Sequence, residues 1–128
     1  MQQRWRKPPR SSGFRPFERL VFQYLTYRPE HFNCNEHMVP VLFIMTSNCA
    51  EEFYKQNGYD AMLAEYAGTL ERFVGPTTTF IAGDTLQTDH YEKFNWTLFD
   101  VEAKQQPHEE VFPQKLAEVR ELAAKLFA

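Results

Sequence analysis

The chain has 128 residues, enough for one domain or part of one. Hydrophobic residues make up 43% and aromatic residues 16%, which supplies a packed core and excludes a chain disordered throughout; no apolar run approaches the roughly 18 residues of a membrane-spanning helix. The net charge of −3 conceals a division, because residues 1–28 hold seven basic side chains against the single acid Glu18 and so carry +6, leaving −9 for the rest.

Residues 1–12 read as a basic, irregular leader, with Arg4, Arg6, Lys7 and Arg10 around Pro8-Pro9. No apolar segment follows these basic residues, so they do not make a secretory signal. A solvated leader is one reading of them, and an arm that binds nucleic acid or phosphate is another. Two cysteines, Cys34 and Cys49, make no disulfide framework, and a reducing, cytoplasmic setting is expected.

Gly13 opens a helical pattern. Phe14, Phe17, Val21, Tyr24 and Leu25 recur at helical spacing, Pro16 is tolerated in a first turn, and Ser11 or Ser12 is available as a cap. The spacing predicts a helix over 14–26, ended by Tyr27-Arg28-Pro29, because the residue before proline avoids the helical region. Residues 30–38, rich in His, Asn and Glu, read as a loop. Val39 to Met45 is a continuous apolar run with β-branched residues, the pattern of a buried strand, and it stops at Thr46-Ser47-Asn48.

A helical stretch follows from about Ala50 to Val74, interrupted at Asn57-Gly58, with Asn57 or Asp60 as the second cap. Met62, Leu63, Tyr66, Ala67, Leu70 and Phe73 form its apolar stripe. Gly75-Pro76 stops it. Thr77 to Ala82 reads as a second strand, closed by Gly83-Asp84. Residues 85–110, with Asp89, Tyr91, Phe94, Trp96, Phe99 and Asp100, read as a long irregular connection, of the kind often tied to function or to an interface. A last helix over 112–127 is expected to bury Phe112, Leu116, Val119, Ala123 and Leu126.

Alternating helices and strands predict an α/β fold with a parallel sheet. Two parallel strands cannot cover both faces of a sheet, and sheets are usually larger. The expectation is therefore a partial fold.

The segments Gly13–Pro29 (GFRPFERLVFQYLTYRP), Pro40–Glu52 (PVLFIMTSNCAEE), Gly58–Phe73 (GYDAMLAEYAGTLERF), Asp84–Tyr91 (DTLQTDHY) and Phe112–Phe127 together resemble, in the same order, the flavodoxin-like NAD(P)H-dependent FMN reductases and the related iron–sulfur flavoproteins. No single piece is a sharp motif; the ordered set carries the likeness. The resemblance implies that residues 13–128 are the C-terminal portion of a flavodoxin-like domain, a partial parallel sheet of about two strands with flanking helices. The two strands would be the family's fourth and fifth. It further implies an oxidoreductase passing hydride or electrons from NAD(P)H through FMN to an acceptor, truncated so that the Ser/Gly/Asn/Thr-rich FMN phosphate loop is missing. The cysteine cluster of the iron–sulfur relatives has no counterpart in this sequence.

By the same resemblance, Thr46, Ser47 and Asn48 would contact the flavin ring or ribityl chain, since ligands of open α/β sheets bind beyond the carboxyl ends of the strands. Ser12 and Gly13 would lie where the family's backbone approaches the ring, glycine permitting the approach. Each segment also has a plain alternative as a helix cap. Asp84 is expected to cap a turn. Cys34, Cys49 and the four histidines have no metal-site spacing, and no Walker, Gly-x-Gly-x-x-Gly or Gly-x-Ser-x-Gly sequence is present. No catalytic acid–base pair is nominated, because in flavin enzymes the cofactor supplies the chemistry. The rival readings are a non-catalytic remnant that binds partners through its sheet edge, with self-association, and a nucleic-acid binder acting through the leader.

Overall fold

The computed structural model describes residues 14–95 and 100–128. The leader, Ser12, Gly13, and the aromatics Trp96 and Phe99 lie outside the described residues. Helix α1 runs Phe14–Phe22 and is followed by a small antiparallel hairpin, β1 Leu25–Arg28 and β2 His31–Asn33. Strand β3 spans Val41–Thr46. A short 3₁₀ turn at Glu51–Phe53 leads into helix α2, Tyr59–Phe73, and then strand β4, Thr77–Ala82. A second 3₁₀ turn at Tyr91–Lys93 precedes helices α3, Val101–Glu110, and α4, Phe112–Leu126.

Strands β3 and β4 pair in parallel, residue for residue from Val41 opposite Thr77 to Thr46 opposite Ala82. This is the small parallel sheet with flanking helices that the alternation implies. Two further bonds extend the pairing upstream, from Val39 N–H to Val74 O (2.9 Å) and from Val41 N–H to Pro76 O (2.8 Å). Gly75 makes the close approach possible. Its φ is 156°, and a Cβ there would stand 2.0 Å from the carbonyl oxygen of Val39.

The core lies on one face of the sheet. Val21, Leu70, Phe73 and Val74 are buried together, with Phe17, Tyr24, Leu25, Val41 and Phe43 packed against them. Phe17 meets Tyr66 edge to face at 4.9 Å. Each fully buried side chain of this size contributes about 1.5–3 kcal/mol. Residues alternate between faces along a strand, so Ile44 and Phe80 look away from this core. Helix α4 reaches that second face at β4, where the Lys115 ammonium sits 5.7 Å from the Phe80 ring centroid. Ile44, on the neighbouring strand, remains 49% exposed.

Five expectations are corrected. The first helix ends at Phe22, not near residue 26. Thr26, Tyr24 and Tyr27 favour extended backbone, and the turn at Pro29-Glu30 folds them onto residues 31–33, with the Thr26 hydroxyl donating to His31 O. The stretch 30–38 is accordingly part strand. Its asparagines cap the end of α2: Asn33 Nδ2 donates to Arg72 O (2.8 Å) and Asn35 Nδ2 to Phe73 O (2.9 Å), satisfying carbonyls that a helix end leaves open. Strand β3 is half-exposed rather than buried, because two strands leave one of its faces without a full layer. Neither Asn57 nor Asp60 caps α2; Gly58, at φ 74°, opens it without a side-chain cap. The connection 85–110 contains helix α3, which Asp100 caps by accepting from the N–H groups of Glu102 (2.9 Å) and Ala103 (3.4 Å).

Candidate functional site

The polar segments following β3 and β4 meet at the carboxyl end of the sheet. Parallel pairing places both strand ends side by side, and hydrogen bonds then knit the two loops. Ser47 N–H donates to Ala82 O (3.2 Å), Thr85 N–H to Ser47 O (2.8 Å) and Asp84 N–H to Cys49 O (2.9 Å). The Thr85 hydroxyl also donates to Ser47 O, at 3.0 Å. Asp84 takes φ 56° to make this crossing, a left-handed conformation that Asp tolerates better than most residues.

Thr46, Ser47 and Asn48 are thus brought to one place. Thr46 is exposed at the last position of β3. The Ser47 hydroxyl donates to Cys49 O (2.8 Å) and lies 2.6 Å from the Tyr54 hydroxyl. A hydroxyl has one proton, so with that proton on Cys49 O the Tyr54 O–H is the donor to Ser47. Asn48 Nδ2 reaches Thr85 O (3.3 Å) and the Tyr91 hydroxyl (3.5 Å). Neither side chain caps a helix; both brace the loops. Tyr54, 2% exposed, stands behind them. Burial raises its pKa above the ordinary 10.0, the Ser47 hydrogen bond opposes the rise, and the nearby Glu51 carboxylate adds to it.

Lys104 completes the arrangement from helix α3. It is 7% exposed, donates to Asn48 O at 2.7 Å and forms an ion pair with Asp84. One ammonium therefore ties the β3 loop, the β4 loop and α3 together. The expectation that Asp84 caps a turn gives way to this pairing. Sequence reasoning missed Lys104 because it missed α3; the available signal was Asp100 followed by the helix-forming run Glu102-Ala103-Lys104-Gln105-Gln106.

Between the β3 loop and α3 lies a cleft of about 370 Å³, bordered by Asn48, Cys49, Ala50, Phe53, Ala103 and Lys104. The 3₁₀ turn at its edge begins after Ala50 with no side-chain cap, and its Phe53 N–H donates to Ala50 O (3.1 Å). The cleft offers a mixed wall, polar at Asn48, Asn57 and Lys104 and apolar at Ala50, Phe53 and Ala103. Among the described residues, no three His, Cys, Asp or Glu side chains gather as a metal site, and no helix is long and apolar enough to cross a membrane. Compared with known proteins, the chain matches no family model, no curated protein and no solved structure.

Proposed function

We propose that residues 13–128 form the ring-binding side of a flavodoxin-like, FMN-dependent NAD(P)H oxidoreductase, with the flavin phosphate held by residues outside this segment. One observation carries the reading: the loops after two neighbouring parallel strands are locked together at their carboxyl ends beside a cleft. Ligands of open α/β sheets occupy that position.

The residues present suit the ring and ribityl end of a flavin. A flavin edge offers carbonyl and ring-nitrogen acceptors, and the Asn57 side chain on the cleft wall carries N–H donors. Ser47, Asn48, Asp84 and Lys104 hold the two loops in place instead of reaching for the ligand themselves. The cleft volume, about 370 Å³, sits at the lower end of the roughly 300–1,000 Å³ range of small-molecule sites, enough for part of a cofactor. Bound FMN would supply hydride acceptance and electron transfer. The phosphate end does not fit here in the same way, since the Lys104 ammonium already pairs with Asp84.

The test is an NMR titration of the chain with riboflavin, which has the ring and ribityl chain without the phosphate. Saturable shifts centred on the amides of Asn48 to Phe53 are expected. Shifts scattered elsewhere, or none up to the solubility of riboflavin, would remove the proposal.

A further inference from the structure

A second cavity lies between the end of β4 and the corner where α3 meets α4. Its volume is about 270 Å³; Ala82, Pro107, Val111 and Phe112 supply its apolar walls, and Glu51, Asp84, Thr85 and Lys115 its polar side. The flavin reading makes no use of it.

The volume limits the guest. A cavity of roughly 150 Å³ is enough for benzene, so about 270 Å³ holds one ring with a small substituent. Phe112 supplies an aromatic wall, itself stacked on His108 with ring centroids 5.6 Å apart and 21° between planes. A flat, apolar body is the shape these walls complement.

The polar corner decides the substituent. The Lys115 ammonium donates to Glu51 Oε1 (3.1 Å) and to Ile81 O (3.2 Å). An ammonium has three N–H donors, so one remains for a ligand. Glu51 Oε1 also accepts from Gly83 N–H (3.2 Å), while the second carboxylate oxygen retains lone pairs. The corner therefore presents one donor and one acceptor side by side. A carboxylate ligand would meet the Glu51 charge, and an ammonium ligand would meet Lys115. A neutral amide group, with a carbonyl for Lys115 and an N–H for Glu51, satisfies both.

We infer that this cavity is a binding site for a small planar aromatic amide, gripped at its carbonyl by Lys115 and at its N–H by Glu51, with the ring between Pro107, Val111 and Phe112. The pairing that builds the corner is independent of whether flavin binds at the neighbouring cleft.

Benzamide and benzoate are suitable probes, having the same ring and nearly the same shape. Titration of the full chain, followed by ¹H–¹⁵N NMR, is expected to show saturable benzamide shifts at Gly83, Asp84, Val111 and Phe112. Benzoate should bind at least tenfold more weakly. Glu51→Gln should narrow that ratio by removing the charge that rejects benzoate, and Lys115→Met should weaken benzamide about tenfold, which is about 1.4 kcal/mol. Should Lys115→Met fail to fold, the benzamide-to-benzoate ratio on the unaltered chain still decides. Equal or tighter benzoate binding, or benzamide shifts that do not saturate or fall elsewhere, would overturn the assignment.

Discussion

Replacing Lys104 by methionine should unfasten the carboxyl end of the sheet while leaving the side chain's bulk in place. In the native chain the ammonium bonds Asn48 O at 2.7 Å and pairs with Asp84. Hydrogen bonds to charged groups contribute about 1.5–3 kcal/mol each, so two of them set an upper limit near 3–6 kcal/mol. Two effects reduce it. The Asp84 side chain is 32% exposed, so water recovers part of its lost solvation. Removing the ammonium also relieves the cost of burying it. A net loss of about 2–3 kcal/mol remains, and at about 3–5 °C per kcal/mol for a chain of this size the melting point should fall by about 6–15 °C. Urea denaturation followed by circular dichroism measures the free energy, and a cycle with Asp84→Asn isolates the pair. Asn tolerates the left-handed backbone of position 84, so that variant tests charge rather than conformation. A coupling of about 1–2 kcal/mol is expected for groups in direct contact. If Lys104→Met lies within about 0.5 kcal/mol of the parent, the ordinary range for an uninvolved surface site, the ammonium is not the fastening described.

Gly75→Ala should cost more than about 3 kcal/mol or prevent folding, because the new Cβ would stand 2.0 Å from Val39 O, backbone that cannot rotate away; a variant that melts with the parent would contradict the close approach. Tyr54→Phe should cost about 0.5–1.5 kcal/mol at neutral pH by leaving Ser47 without its donor. Because the folded pKa of Tyr54 is raised above 10.0, its contribution is full below that pH and is lost as pH climbs from there toward the folded value, so the parent should lose stability above pH 10 more steeply than the phenylalanine variant; parallel curves would show the phenol is not so held. Strand β3 carries no charged residue, and its outer edge has no partner strand among the described residues; such edges associate. Sedimentation should show self-association that Ile44→Lys reduces, and a monodisperse parent would count against it.

The sheet was legible because both strands are short apolar or β-branched runs bounded by turns, and α2 because Leu63, Leu70 and Phe73 repeat at helical spacing. Periodicity overextended α1: Tyr24 and Leu25 do join the core, but from a turn and a strand that keep the same inward direction. In α4 the expected stripe is not fully buried: Phe112, Val119, Ala123 and Leu126 are only half-buried. Leu116 is exposed, and Lys115 beside it faces β4 with its ammonium on Ile81 O. A long amphipathic side chain can lie against apolar surface, which a hydrophobic pattern does not register. At the candidate site, Thr46, Ser47 and Asn48 were found by their position after a strand. That Ser47 and Asn48 would turn inward to Tyr54, Thr85 and Tyr91 depends on residues up to 43 positions away, and spacing along the chain carries no trace of it.

The flavin reading is tested most directly by titrating FMN and riboflavin side by side against the purified chain and following flavin fluorescence. A phosphate site supplies charge-assisted hydrogen bonds of about 1.5–3 kcal/mol each, and three of them separate the two ligands by about three orders of magnitude or more. With ring contacts alone, the two flavins should quench with similar dissociation constants, both weaker than micromolar. Submicromolar FMN with far weaker riboflavin would place the phosphate site within this chain, and no saturable quenching by either would mean that the cleft beyond β3 is not a flavin site.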